Sequence, residues 1–239
     1  MDIPRRTSLF SVINFGYDIL MMMNNQRQFS HNLIEVTPCP RVELDGVRYY
    51  ETPAGRFKSV TTILGEKLDK TGLLKWKERV GEEEANKIST QAARRGTVIH
   101  SLAESYLMNE PNWKRGVMPS NLDTFSKIKP VLDKYIGTVY GIEIPLYSGH
   151  LKTAGTCDLL AGFDGINSVI DFKTSRRVKK EEDIEGYFIQ ATAYSLMAEE
   201  ITPYKFPQIV IIMPVDHDET LVFVKPRDLY VSRVLEIFA

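Results

Sequence analysis

Ser168-Val169-Ile170-Asp171-Phe172-Lys173 is a short apolar run that ends in an acid and a base. In a strand, successive side chains point to opposite faces, so Asp171 and Lys173 share one face while Phe172 points to the other. A carboxylate and an ammonium group in this position can hold a metal ion and stabilise a nearby anion. Considered alone, the pair is better explained as a structural salt bridge, because a buried acid needs a partner.

A second apolar run with a single acid lies upstream. Residues 154–160 read Ala-Gly-Thr-Cys-Asp-Leu-Leu and contain Asp158. Asp164-Gly165 lies between the two runs and is typical of a tight turn. We therefore predict neighbouring strands that bring Asp158 and Asp171 within reach of one cation, although Asp158 alone could equally be an acid beside a turn.

Composition sets broad limits on the function. The chain has 239 residues, 43% hydrophobic and 26% charged, which is ordinary for a globular protein with a substantial core. Its formal net charge of −1 gives no overall positive field, although a local basic patch remains compatible with it. Cys39 and Cys157 are too few for a disulfide framework or a four-cysteine metal site, so we expect a reducing, cytoplasmic compartment and no iron–sulfur cluster.

We predict two parts of the chain, a loosely attached N-terminal arm (1–40) and one folded domain (41–239). Arg5-Arg6 precede an apolar run, but polar residues interrupt it and no cleavage site follows, so export is not expected. Three consecutive methionines at 21–23 suggest that translation could begin there. No stretch is long and apolar enough to span a bilayer, so no membrane partner is expected.

The pattern of elements predicts an α/β fold with a mixed sheet flanked by helices. The predicted elements are a hairpin over 42–50, helices over 71–90, 91–107, 121–136, 181–200 and 227–238, and strands over 142–147, 208–213 and 221–224. In the helix over 91–107, His100 and Glu104 lie one turn apart beside an apolar stripe. His100 alone is more typical of a satisfied core histidine, and Trp76 and Tyr106 are expected to be core aromatics.

Four motifs occur in one order: GxxxH, GxxD, DxK and QxxxY. They read Gly96-Thr97-Val98-Ile99-His100, Gly155-Thr156-Cys157-Asp158, Asp171-Phe172-Lys173 and Gln190-Ala191-Thr192-Ala193-Tyr194. DxK alone is a weak signal, but the ordered set resembles the PD-(D/E)xK nuclease superfamily and its RecB-like exonuclease branch. With Ser59–Leu64, Trp76 and Arg94-Arg95-Gly96, it resembles the mitochondrial genome maintenance exonucleases and their bacteriophage relatives. The resemblance covers roughly residues 42–225.

This resemblance implies a restriction-endonuclease-like core and a hydrolytic site that uses one or two Mg²⁺ or Mn²⁺ ions. The implied metal ligands are His100, Asp158, Asp171 and the backbone carbonyl of Phe172. Glu104 would orient a metal-bound water or join a second ion, and Lys173 would activate the attacking water or stabilise the transition state.

The resemblance also implies a DNA-binding surface. The expected substrate contacts are Gln190, Tyr194, Arg94, Arg95, Arg176, Thr61 and Thr62. Arg177, Lys179 and Lys180 could add phosphate contacts, although each basic residue could equally be part of a solvated surface.

The expected activity is a metal-dependent deoxyribonuclease that prefers single-stranded DNA with free ends. Its expected setting is DNA replication, recombination or repair, in the host cytoplasm if the chain is of phage origin. The alternatives are a flap-type endonuclease on the same site, a non-catalytic nucleic-acid-binding module, or an α/β domain whose acids coincide by chance.

Overall fold

The structure, a computed structural model, describes residues 27–238. Its elements are β1 (Arg41–Leu44), β2 (Val47–Thr52), β3 (Gly55–Ser59), α1 (Val60–Lys67), α2 (Thr71–Val80), α3 (Glu82–Leu107), α4 (Pro119–Tyr135), β4 (Ile136–Ser148), β5 (Thr153–Phe163), β6 (Ile166–Phe172), α5 (Glu185–Ile201), β7 (Gln208–Pro214), β8 (Thr220–Pro226) and α6 (Val231–Phe238). Short 3₁₀ turns precede α5 and α6. The proposed translation start at residues 21–23 lies outside the described residues.

The described strands form one mixed sheet in the order β1-β2-β3-β5-β6-β7-β8, with β4 paired to β5. β3 runs parallel to β5 and β6 runs parallel to β7, whereas the other pairs are antiparallel. Helices cover both faces of this sheet, as their contacts with the strands show. The predicted α/β class, with a central mixed sheet flanked by helices, is confirmed.

β5 changes its partner along one edge. Its first residues pair with the end of β3, in the register Ser59 opposite Ala154. Its later residues pair with β6, beginning at Leu159 opposite Ile170. Residues 155–158 therefore lie between the ends of β3 and β6, and Asp158 lies in this interval.

Two apolar cores separate the helices from the sheet. One core joins α3 and α4 to the sheet, and the other joins α1, α5 and α6 to its opposite face. Phe172 belongs to the α3–α4 core, and its neighbour Asp171 receives a hydrogen bond from Gln190 of α5. The predicted alternation of Asp171 and Phe172 across the sheet is thus confirmed.

The N-terminal helices differ from the prediction in where they break. A boundary near residue 90 was expected, but the chain turns at Gly81 and α3 then runs unbroken for 26 residues. Gly81 has φ +84°, a left-handed conformation that glycine adopts without a side-chain clash. The preceding helix, α2, buries none of its residues. Although α3 is long, no helix within residues 27–238 is both long and apolar enough to cross a bilayer.

The described part of the predicted arm lies along β4. The backbone N–H groups of Asn32 and Ile34 donate to the carbonyls of Val139 and Tyr140, each at 2.8 Å. Phe29 is buried and packs edge-on against Tyr106. Residues 29–34 are therefore attached to the folded body, and the boundary at residue 40 stays a prediction.

Candidate metal centre

Three side chains from three elements converge beside the interval in β5. They are His100 of α3, Glu143 of β4 and Asp158 of β5, whose ligand atoms lie within 4.8 Å of one another. His100 Nδ1 is 3.5 Å from Glu143 Oε1 and 3.6 Å from Asp158 Oδ1. Two ligands of one octahedral ion lie roughly 3 to 4.2 Å apart, given bonds of about 2.1 Å. Both His100 distances fall in this range, and an imidazole nitrogen with two carboxylates is a ligand set compatible with a divalent cation.

The backbone of Phe172 orients two of these ligands. Its N–H donates to Asp158 Oδ2 at 2.8 Å, and its carbonyl accepts from His100 Nε2 at 2.9 Å. A histidine that donates one ring N–H to a carbonyl presents its other nitrogen to a metal. In this arrangement Nδ1 of His100 and Oδ1 of Asp158 face the same point. The Phe172 carbonyl therefore accepts a hydrogen bond from His100, and its expected role as a metal ligand stays a prediction.

The DxK pair lies next to this cluster, on the α5 side of the sheet. Asp171 is 1% exposed, and its carboxylate forms an ion pair with Lys173. Gln190 Nε2 donates to Asp171 Oδ1 at 3.2 Å, and the Lys173 ammonium lies 5.0 Å from the centre of the Tyr187 ring. Asp171, Lys173 and Gln190 are thus brought together, with Asp171 outside the three-residue ligand cluster.

Glu143 is a site residue that the sequence analysis missed. Ile142 pairs with Leu159 and Ile144 with Cys157, so Glu143 lies opposite Asp158 across the two strands. Its φ of +46° is uncommon for a residue other than glycine, and such backbone strain tends to occur at functional sites. The available signal was an acid inside an otherwise apolar strand.

Burial and crowded acids shift the pKa values of the centre. Burial raises the pKa of Asp158, the nearby charge of Asp171 raises it further, and the result is about 7. Burial alone would lower the pKa of His100, but Glu143, Asp158 and Asp171 together raise it to about 9. Burial likewise opposes the Lys173 charge, but Asp171 and Asp158 hold the pKa of Lys173 above its usual value. Excess negative charge of this kind is what a bound cation would neutralise.

Glu104 lies one helical turn after His100, at the edge of the centre. Burial raises its pKa first, and the charges of Glu143 and Glu110 raise it further. Glu104 and Glu143 also line a cleft of about 640 Å³ between α3, β4 and residues 33–38. Glu104 is therefore beside the ligand cluster without belonging to it, and its catalytic role stays a prediction.

The glycine of the GxxD motif and the tyrosine of QxxxY are in contact. A Cβ atom on Gly155 would lie 2.7 Å from the hydroxyl oxygen of Tyr194, so this position has room only for glycine. Tyr194 is 3% exposed, and burial raises the pKa of its phenol well above the usual value. In this structure Tyr194 packs against Gly155 of β5, and its expected contact with substrate stays a prediction.

Thr61 and Gln190 line one cavity of about 310 Å³, together with Tyr187. Through Tyr187 this cavity adjoins Lys173. Thr62 lies beside it but has a structural contact, because its N–H donates to the side chain of Ser59, the N-cap of α1. The cavity therefore joins two of the expected substrate-binding residues to the DxK lysine.

The three expected arginines occupy different environments. Arg94 is exposed on α3. Arg95 forms an ion pair with Asp216 and donates to the Thr124 hydroxyl, so it links α3 to the β7–β8 connection and to α4. Arg176 lies in the loop after β6 and donates to the side chain of Gln91 at 3.2 Å. Arg94 and Arg176 remain candidates for phosphate contacts, whereas Arg95 already has a structural partner.

Comparisons with known proteins give a distant likeness among solved structures. No family model matches this chain, and no curated protein matches it. Among solved structures, the chain is similar to one from Eubacterium rectale named "Putative exonuclease", with a TM-score of 0.43 and 15% sequence identity. The match covers 62% of this chain and 63% of the other, so it spans less than two thirds of that protein.

Proposed function

We propose that this chain is a metal-dependent deoxyribonuclease that hydrolyses phosphodiester bonds and prefers single-stranded DNA with free ends. The supporting observation is the convergence of His100, Glu143 and Asp158 on one point, with Asp171 and Lys173 alongside. These residues come from α3, β4, β5 and the end of β6, so the site depends on the whole sheet. Their agreement with the ordered sequence motifs makes a coincidental grouping of acids the weaker explanation.

His100, Glu143 and Asp158 would hold the ion, with Asp171 as a further carboxylate at its border. A bound Mg²⁺ or Mn²⁺ would polarise the scissile phosphate and lower the pKa of a water molecule. The chain's own residues provide the rest of the chemistry. Lys173, whose side chain is 20% exposed, is a cation that can stabilise the negative charge that develops on the phosphorane oxygens.

Gln190 and Tyr187 position Lys173. Gln190 holds one oxygen of Asp171, the other oxygen of Asp171 pairs with Lys173, and the Tyr187 ring lies beside the ammonium group. A lysine held on two sides loses less side-chain entropy when the substrate arrives. The cavity shared by Thr61 and Gln190 would receive the substrate strand next to this lysine.

The preference for DNA ends and for single strands rests on the motif resemblance. End-labelled linear and circular DNA, each single- and double-stranded, should be incubated with Mg²⁺, with Mn²⁺ or with EDTA. We expect short oligonucleotides from linear single strands, little change in circular single strands, and no hydrolysis in EDTA. Rapid cutting of the circle would indicate an endonuclease on the same site instead.

Variants separate catalysis from folding. Asp171→Asn and Lys173→Ala should each lower the hydrolysis rate by at least 100-fold, because the first removes a carboxylate at the border of the ion and the second removes the cation that would stabilise the phosphorane oxygens. Asp164→Asn is the matched control, because Asp164 is an exposed turn acid remote from the site. Full activity of Asp171→Asn or Lys173→Ala would refute the assignment, and an inactive wild-type chain that still binds DNA would indicate a binding module.

A further inference from the structure

A further cavity, here called the Trp76 cavity, lies between α2, the start of α3 and the loop after β6. Its volume is about 700 Å³. Its lining includes Trp76, Arg79, Ser175, Arg176, Arg177 and Lys179. Trp76 was expected to be a core aromatic, but that expectation is wrong, because α2 buries no residue and the indole instead forms a wall of this cavity.

The charge of the Trp76 cavity is one-sided. Four of its lining residues are cations, none is an acid, and the whole chain has a net charge of −1. Within residues 27–238, none of these four cations forms an ion pair with a carboxylate, whereas Arg95 and Arg227 each do. Like charges that line one cavity repel, so the arrangement favours an anionic ligand that neutralises them.

The combination of an indole with several cations indicates the chemistry of that ligand. Trp76, Arg79 and Val80 lie at i, i+3 and i+4 on one side of α2, so the ring and the guanidinium group face the same space. An aromatic ring stacks on a base irrespective of its sequence, and cations contact the adjoining phosphates. In a duplex the faces of the bases are already stacked, so a free base requires a single strand.

The Trp76 cavity lies close in the chain to Lys173 of the DxK motif. Ser175 lines the cavity and follows Lys173 by two residues. Two residues of extended chain span roughly 6 to 7 Å. A strand whose phosphate lies beside Lys173 would therefore place a neighbouring nucleotide in the cavity.

We infer that the Trp76 cavity binds one base of single-stranded DNA by stacking on Trp76, with the flanking phosphates held by Arg79, Arg176, Arg177 and Lys179. This inference rests on the proposed nuclease function and adds a specific subsite to it. It also accounts for α2, an amphipathic helix whose apolar indole would otherwise have no role in the core. Single-strand preference then follows from the need for an unstacked base.

The test measures binding in EDTA, where hydrolysis does not occur. Anisotropy of a labelled oligothymidylate gives its Kd for the wild type, Trp76→Ala, Trp76→Phe and the control Leu74→Ala. We expect Trp76→Ala to weaken binding by about 5- to 160-fold, which corresponds to 1–3 kcal/mol for one stacked base. Trp76→Phe should retain most of the affinity. Leu74 is 55% exposed on the same helix and does not line the cavity, so its replacement should leave the Kd unchanged.

Two further measurements do not depend on the alanine variant. The chain has two tryptophans, and stacking should quench the fluorescence of the wild type but not of Trp76→Phe. Lys179→Gln should lower the slope of log affinity against log salt by about 0.7, the value for one phosphate contact on a single strand.

Unchanged affinity in Trp76→Ala, equal binding of a matched duplex, or quenching that persists in Trp76→Phe would overturn the inference. These outcomes are distinguishable from failure of the proposed function. If the wild type digests DNA while Trp76→Ala binds normally, only the subsite is refuted. If the wild type binds through Trp76 but never hydrolyses DNA, only the catalytic proposal fails.

Discussion

Asp158→Asn should make the metal-free protein more stable while abolishing its response to metal. Asp158 is buried beside Asp171, and its pKa rises from 3.8 to about 7. At 1.36 kcal/mol per tenfold change in a dissociation constant, this rise corresponds to at most about 4 kcal/mol. Because the pKa is raised in the folded state, the ionised carboxylate destabilises the fold at pH values above 7. This loss of stability shrinks as the pH falls from 7 and is gone below 3.8, the pKa of Asp158 in the unfolded chain.

Part of this gain is offset at His100. Its pKa rises from 6.5 to about 9, so protonated His100 contributes about 3 kcal/mol of stability below pH 6.5, which is lost as the pH rises through 9. Asp158 is one of three acids that cause this rise, so its removal forfeits roughly 1 kcal/mol of it. Asparagine keeps an oxygen that can accept the Phe172 N–H. We expect a net gain of at most about 3 kcal/mol at pH 8, or about 6 to 12 °C in Tm for a chain of this size.

The assay is thermal unfolding at pH 8 in EDTA and again in Mn²⁺. Ligand binding to the folded state stabilises it by about 2.7 kcal/mol at 100 times Kd, so the wild type should gain several degrees in Mn²⁺. Asp158→Asn should gain nothing from the ion. Asp164→Asn, a turn acid with φ +51°, is the control and should behave like the wild type in both conditions. A lower or unchanged Tm of Asp158→Asn in EDTA would refute the electrostatic reasoning.

Three further predictions follow from contacts of single residues. The apparent Mn²⁺ affinity, measured by calorimetry, should rise about tenfold per pH unit between pH 7 and 8.5, because His100 must lose a proton to bind the ion. An affinity that does not change with pH would exclude His100 as a ligand. Gly155→Ala should lower the free energy of unfolding by about 1–3 kcal/mol in denaturant titrations, because the added Cβ would meet the Tyr194 hydroxyl. Tyr194→Phe should relieve part of that cost. If the double variant loses the sum of the two single-variant losses, the contact is contradicted. The hydrogen bond and charge of Arg95 lower the pKa of Asp216, so their pair stabilises the fold above the ordinary carboxyl pKa and is lost as the pH falls through the lowered value. Arg95→Gln should therefore reduce stability near neutral pH by about 1 kcal/mol and have little effect near pH 2, as judged by urea unfolding at both pH values.

Much of the fold follows from local patterns. The alternation of Val169, Ile170, Asp171 and Phe172 correctly placed the acid and the phenylalanine on opposite faces of the sheet, because the strand period of two is a local property. The helix that carries His100 was likewise evident from its apolar stripe. The break between α2 and α3 was misplaced, because the charged residues after Gly81 favour a helix equally well on either side of the true boundary.

The class of fold, the strands that carry Asp158 and Asp171, and the helix that carries His100 could all be predicted from the order of residues. Three contacts could be seen only in the folded chain: Glu143 joins His100 and Asp158, Tyr194 lies buried over Gly155, and Trp76 faces a basic cavity. The two groups differ in the distance along the chain over which the interactions act. Periodicity and turn chemistry act over a few neighbouring residues, whereas these contacts depend on strand register and on helices that are distant in the chain.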